Sequence, residues 1–121
     1  NQSELPRLYS IADTLLIPSE YDPSPKIINE VMNFGVPVVA SNGVGTAPDI
    51  IVAENAGVVF KKGDAEALSR HILNIFSNPN LLKELKKNAL AAVRKWSFDK
   101  DTEGVGRALD WMKKNHERKS L

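Results

Sequence analysis

Asp22-Pro23-Ser24-Pro25-Lys26-Ile27-Ile28-Asn29-Glu30-Val31-Met32 decides how the rest of this 121-residue chain is read. Proline disfavours the right-handed helical conformation in the residue before it, so Pro23 and Pro25 push Asp22 and Ser24 toward extended geometry. Pro25 suits the first position of a helix, where its missing N–H would have had no partner. Ser24 then falls at the N-cap, and the N–H groups of Lys26 and Ile27 point out of the helix end. Those groups, with the positive end of the helix dipole, favour an anion such as phosphate. One carboxylate, Asp22, stands just before the helix, and a second, Glu30, lies eight residues later inside it.

The flanking segments set the fold class. Thr14-Leu15-Leu16-Ile17-Pro18 is an apolar run closed by proline and reads as a short strand, 14–18. After the helix, Gly35 is a natural stop, and Pro37-Val38-Val39-Ala40 begins a second strand with proline at its first position. Strand, helix, strand without alternation in the strands implies that both strand faces are covered, as in a parallel sheet of an α/β domain. Ligands of such sheets bind outside the carboxyl ends of the strands. The Asp22 segment follows the first strand, and Ser41-Asn42-Gly43-Val44-Gly45-Thr46 follows the second, so both reach the same edge. A phosphate site flanked by hydroxyl-binding carboxylates suits a sugar nucleotide.

At helical period, Ile27, Ile28, Val31, Met32 and Phe34 form the apolar face of the motif helix, with Lys26, Asn29 and Asn33 opposite. Glu30 sits at the border. From periodicity alone its commoner reading is a surface carboxylate pairing with Lys26, in the weaker Lys-first orientation. Asp22 by itself is likewise more often a turn or cap residue than a ligand.

The chain length suggests one domain, yet it opens on a helix, 4–12, with Leu5, Leu8, Tyr9 and Ala12 apolar. Strands are expected only at 14–18, 36–40 and 57–60, which bury little core for a complete doubly wound fold. The expectation is therefore the later part of a larger domain. Ala47-Pro48-Asp49-Ile50-Ile51 reads as a short helix. Asp64 caps a helix with Ala65, Leu68, Ile72, Ile75 and Phe76 on one face, and Asn78-Pro79 opens another with Leu81, Leu82, Leu85, Ala89, Ala92 and Val93 periodic. Ser97 is expected to cap a last helix that carries Val105, Ala108, Leu109 and Met112 inward.

Composition excludes several chemistries. No Cys means no thiol nucleophile, Cys-based zinc site or disulfide in this chain. Neither His71 nor His116 has ligands at metal spacing, so no metal is expected. No apolar run approaches the ~20 residues that cross a bilayer, and no signal peptide is recognisable. A formal net charge of +1 gives no electrostatic case for nucleic acid. The basic tail of Lys113, Lys114, Arg118 and Lys119 reads as complementing the negative helix end, with weak membrane-surface contact as the sharper alternative. Gly43-Val44-Gly45 lacks the third glycine of a dinucleotide fingerprint, and no P-loop is present.

These residues resemble the donor-binding half of retaining glycosyltransferases with the GT-B fold, the group containing glycosyltransferase families 1 and 4. That group carries an E-x7-E motif, often E-P-F-G-x-x-x-x-E-A-M-A-C-G-x-P-V-V-A-S. The chain has Asp22-Pro23-Ser24-Pro25, then Asn29-Glu30-Val31-Met32-Asn33-Phe34-Gly35-Val36-Pro37-Val38-Val39-Ala40-Ser41. Upstream, Leu8-Tyr9-Ser10-Ile11-Ala12-Asp13 and Leu16-Ile17-Pro18-Ser19 resemble L-Y-x-x-A-D-x-x-x-x-P-S. Downstream, Val44-Gly45-Thr46-Ala47-Pro48-Asp49, Asn55-Ala56-Gly57 and Gly63-Asp64 follow in the family's order. The resemblance implies that Glu30 binds the ribose hydroxyls and that Asp22 contacts the donor sugar. It further implies that Ser24, Lys26 and Ile27 hold the diphosphate, and that the loop of Asn42, Gly43 and Gly45 borders the pocket. Asp22 in place of glutamate shortens the reach to the sugar by one methylene, and Pro25 in place of glycine removes an amide donor.

The expectation is thus an α/β, partial Rossmann-like three-layer domain with a short parallel sheet of about three strands and helices on both faces. Residues 1–121 would be the later part of a C-terminal nucleotide-sugar-binding domain. The acceptor domain, and the arginine and lysine that neutralise the diphosphate, would lie outside it. The resemblance implies sugar transfer with retention from a nucleotide-diphosphate sugar, with no cofactor, to a glycan or lipid-linked acceptor. The expected location is cytoplasmic, allowing a peripheral place at the inner membrane face. A chain of this kind alone is expected to be inactive and prone to self-association. A nucleotide-sugar epimerase of the same fold and a non-catalytic α/β binding module are the competing readings.

Overall fold

The computed structural model describes residues 2–96 and 98–117. A single turn, Gln2–Glu4, leads into α1, Leu5–Ile11, followed by β1, Leu15–Ile17, and α2, Ile27–Met32. Then come β2, Val38–Ser41, a wide helical turn, Pro48–Val52, and β3, Gly57–Phe60. The helices α3, Ala65–Ser77, α4, Pro79–Lys95, and α5, Phe98–Glu117, complete the described chain.

The three strands form a parallel sheet in the order β1-β2-β3. Leu16 pairs with Val39 and Val39 with Val58, which places all three carboxyl ends on one edge. Every residue of β2 is buried, as expected of a central parallel strand. Val38 and Ala40 face one layer with Ile28, Val31, Met32, Ile50 and Ile51; Val39 faces the other with Phe60, Ala67, Ile75 and Leu85. Helix α4 reaches both layers, giving Ala89 and Ala92 to the first and Leu85 to the second. The three-layer α/β expectation holds.

Gly35 ends the α2 segment with φ 71°, a conformation glycine adopts without a Cβ penalty. Two cap expectations also hold. Asp64 Oδ1 accepts from the Ala67 N–H at 2.7 Å, and Asn78 Oδ1 accepts from the Leu81 N–H at 3.1 Å. The turn at Pro48–Val52 is wider than an α-turn, closed by the Ala53 N–H donating to Pro48 C=O at 3.0 Å.

Several expectations require correction. The first two strands are shorter and shifted, Leu15–Ile17 against 14–18 and Val38–Ser41 against 36–40. Proline cannot donate to a ladder, so the strands stop short of Pro18 and Pro37, although Pro37 C=O still accepts from the Leu15 N–H at 2.9 Å. The two faces of β1 are not both covered: Leu16 is partly exposed, because the core layer that buries Val39 takes no residue from β1. Leu8 and Phe34 are exposed as well, and on α3 Ala65 and Phe76 are exposed while Ala67 is buried instead. The expected inward face of α5 is exposed, Val105 at 61%, Leu109 at 52% and Met112 at 60%. Periodicity shows which face of a helix is apolar and not whether a partner covers it. The expected cap at Ser97 and the basic residues Arg118 and Lys119 lie outside the described residues. No helix among the described residues is long and apolar enough to cross a membrane.

Candidate functional site

Three loops leave the carboxyl edge of the sheet: residues 18–26 after β1, 42–47 after β2 and 61–64 after β3. Ser41, the last residue of β2 and fully buried, ties the first two together. Its hydroxyl donates to Ser19 C=O, and its Oγ accepts from the Gly43 N–H at 3.2 Å. The Asp22 N–H donates to Gly43 C=O at 3.0 Å, and the Gly45 N–H donates to Asp22 C=O at 2.9 Å. Asp22 and Val44 thus make a one-rung parallel bridge that extends the pairing past β1 and β2. The loops approach so closely that a Cβ on Gly43 would lie 2.5 Å from the carbonyl oxygens of both Ser19 and Glu20. The third loop joins through Asn42, whose Oδ1 accepts from the Lys62 N–H at 2.9 Å, and through the Lys62 ammonium, which donates to Glu20 C=O at 3.3 Å.

This network gives a direct prediction for Ser41→Ala. The change strands the part-buried Ser19 carbonyl and the Gly43 amide, which costs about 1–3 kcal/mol. Denaturant melts of the two proteins measure it; a loss under ~0.5 kcal/mol would show that the hydroxyl is not the tie.

The motif segment departs from its expected geometry at its start. Helix α2 begins at Ile27, with Lys26 in helical conformation as its N-cap, and neither Ser24 nor Pro25 takes the expected capping positions. The Ile28 N–H bonds back to Pro25 C=O at 3.2 Å, a tight i to i+3 closure that makes residues 25–28 a lead-in turn. Asp22 takes up part of the local organising role: its Oδ1 accepts from the Ser24 N–H at 3.2 Å, an Asx-type turn. The N–H groups of Lys26 and Ile27 have no partner among the described residues.

Glu30 lies in the first turn of α2 with its carboxylate exposed. No ion pair with Lys26 forms among the described residues; instead the Tyr9 hydroxyl, from α1, donates to Glu30 Oε2 at 2.8 Å. The Tyr9 ring packs on Phe34, centroids 5.8 Å apart and tilted by 58°. Hydrogen bonding to Glu30, aided by lost hydration and the negative charge, raises the phenol above its ordinary value of 10.0. A raised acid keeps its proton in the folded state, so the tie persists below about pH 10 and is lost as pH rises through the raised value. Glu30 and Tyr9 border an open hollow of about 520 Å³ that Leu5, Pro6, Asn33 and Phe34 also line. A smaller hollow of about 110 Å³ beside Ser24, Pro25 and Lys26 is closed by Thr46, Ile50 and Trp96 from the end of α4.

The structure therefore brings Asp22, Gly43 and Gly45 into one hydrogen-bonded unit and sets the Lys26 and Ile27 amides at the start of the helix that bears Glu30. Asn42 belongs to the same edge, with its side chain spent on Lys62. No site role is legible in the sequence for Ser41, Tyr9 or Trp96, although Tyr9 lies on the apolar face of the first helix and in the quoted L-Y pattern. Among the described residues no cluster of three or more His, Cys, Asp or Glu could hold a metal ion.

Residues 1–92 match the family model described as glycosyl transferases group 1. The chain belongs to that family. This group 1 chain is 34% identical over 99 residues to an O-antigen chain mannosyltransferase B of Escherichia coli, covering 82% of itself and 25% of that protein. It is also 34% identical over 100 residues to a glycogen synthase of Pseudomonas fluorescens, covering 79% of itself and 20% of that enzyme. A solved sucrose-phosphate synthase from Thermosynechococcus elongatus superposes with TM-score 0.73 at 28% identity, over 87% of this chain and 26% of that one. The Rossmann-like, GT-B reading of the fold is thereby supported at the level of backbone and sequence together. The group 1 chain spans a quarter or less of the length of these curated relatives.

Proposed function

We propose that this chain forms part of the donor site of a glycosyltransferase that moves a sugar from a nucleotide-diphosphate sugar to an acceptor. One observation carries the reading. In a group 1 chain, the loop and helix that follow β1 carry Asp22, two unpartnered amides at Lys26 and Ile27, and the exposed Glu30 carboxylate in succession. An ionised carboxylate accepts several hydrogen bonds, so Glu30 suits the paired hydroxyls of a ribose. The amides at the helix start suit a diphosphate. Asp22, fixed between the loops by its main chain, is left to meet the sugar with the remaining oxygen of its carboxylate.

The acceptor in this reading is a glycan or lipid-linked saccharide held by parts of the enzyme beyond these residues, with transfer proceeding with retention. The test is a product assay on the full-length protein with UDP-, GDP- and ADP-sugars, in the presence and absence of acceptor glycans. Release of nucleoside diphosphate that depends on acceptor, with the sugar recovered on it, is the expected result. Isomerised donor without transfer would make the protein an epimerase. Binding that does not distinguish sugar nucleotides from inorganic phosphate would make it a non-catalytic module.

A further inference from the structure

Tyr9 and Glu30 are 21 residues apart in sequence and on different helices, yet they share a 2.8 Å hydrogen bond at the surface. A Glu side chain exposed on a six-residue helix is free to sample several rotamers, and no ion pair with the described residues restrains it. The phenol is the opposite kind of group. Its ring is half-buried, packed on the core cluster that holds Val31 and Met32 and against Phe34. The end of α1 is closed locally by the Ala12 N–H, which donates to Tyr9 C=O at 3.2 Å, and the segment that follows is tied to the strand side by the Thr14 hydroxyl, which donates to Pro37 C=O at 3.0 Å.

We propose that Tyr9 is a positioning residue for nucleotide recognition: its hydroxyl holds Glu30 Oε2 so that Oε1 and the remaining lone pairs are aimed at the ribose hydroxyls of the donor. The inference rests on the ribose-binding role of Glu30. A carboxylate has about four acceptor positions, so one bond from a phenol leaves enough to receive a cis-diol. The phenol can only donate to an ionised carboxylate, which leaves the acceptor face to the ligand. Holding the carboxylate before the nucleotide arrives removes an ordering cost that binding would otherwise carry.

Tyr9→Phe deletes the hydroxyl and keeps the ring against Phe34, so the protein is expected to fold and melt close to wild type. The test measures inhibition of the full-length enzyme by UDP, GDP or ADP, whichever base it accepts, and by the 2′,3′-dideoxy form of the same nucleotide. The expected result is inhibition weakened about three- to tenfold by Tyr9→Phe for the ribonucleotide, donor KM rising in parallel while kcat stays within about twofold. For the dideoxy nucleotide, Tyr9→Phe and wild type should be equal, because the bond that Tyr9 orients no longer exists. An equal penalty with both nucleotides would make Tyr9 a purely structural contact and overturn the inference, as would no penalty with either. Glu30→Gln in the same assay separates the two levels. A penalty there without one at Tyr9→Phe leaves the ribose role standing and removes Tyr9 from it, whereas no penalty at Glu30→Gln removes both.

Discussion

In the full-length enzyme, Glu30→Gln is expected to lower kcat/KM for the donor by roughly tenfold to a hundredfold, with the loss concentrated in donor KM. Glutamine keeps one acceptor and presents an N–H where a ribose hydroxyl needs a second. Losing a hydrogen bond to a charged group costs on the order of 1.5–3 kcal/mol, which gives that range. The substitution also disturbs the Tyr9 contact, but Glu30 is exposed and that contact lies at the surface, so folding stability should change by under ~1 kcal/mol. Asp22→Asn should be milder. Asp22 Oδ1 is already engaged with the Ser24 N–H, and asparagine retains that acceptor, so only the outward oxygen is altered. Steady-state kinetics at varied donor concentration decides between these expectations. A Glu30→Gln enzyme within twofold of wild type would contradict the ribose role.

Gly43→Ala is expected to damage both folding and donor use. The added Cβ would stand 2.5 Å from two carbonyl oxygens, Ser19 and Glu20, and these are backbone atoms that cannot rotate aside. The loops must separate, which costs about 1–3 kcal/mol of stability. Separation also breaks the bonds from Asp22 N–H to Gly43 C=O and from Gly43 N–H to Ser41 Oγ, so Asp22 and the segment behind it shift. A misplacement of about 1 Å at a binding constellation can cost up to a hundredfold in rate. Calorimetric melting combined with donor kinetics measures both losses. Wild-type stability together with wild-type kinetics would mean that the loops are not packed as described.

What was legible in the sequence was local. The strand of Leu15, Leu16 and Ile17 and that of Val38 to Ala40 are apolar runs bounded by proline, and the Asp64 and Asn78 caps act three residues away from themselves. The meeting of the Asp22 and Gly43–Gly45 segments followed from a topological rule about parallel sheets, with no need for side-chain detail. The rest depended on contacts that no periodicity encodes. Glu30 read as a partner of Lys26 because only neighbours one turn away are visible in a helix pattern, while its actual partner Tyr9 lies on another helix. Ser41 reads in the sequence as the first residue of the loop after the second strand, and its role appears only when Ser19 is brought over it. The start of α2 slipped from Ser24 to Lys26, because residues 25–28 close as a tight turn through the Ile28 N–H and Pro25 C=O and the chain turns helical only after it. Trp96 could not be placed beside Lys26, since that depends on where a 17-residue helix ends in space.

A crystal structure of the full-length protein with a nucleotide-diphosphate sugar bound tests the donor-site role of this edge most directly. The ribose hydroxyls are expected about 3 Å from the Glu30 carboxylate, with the diphosphate on the Lys26 and Ile27 amides and the sugar toward Asp22. A nucleotide bound away from this edge, with Glu30 out of hydrogen-bonding reach of the ribose, would contradict it.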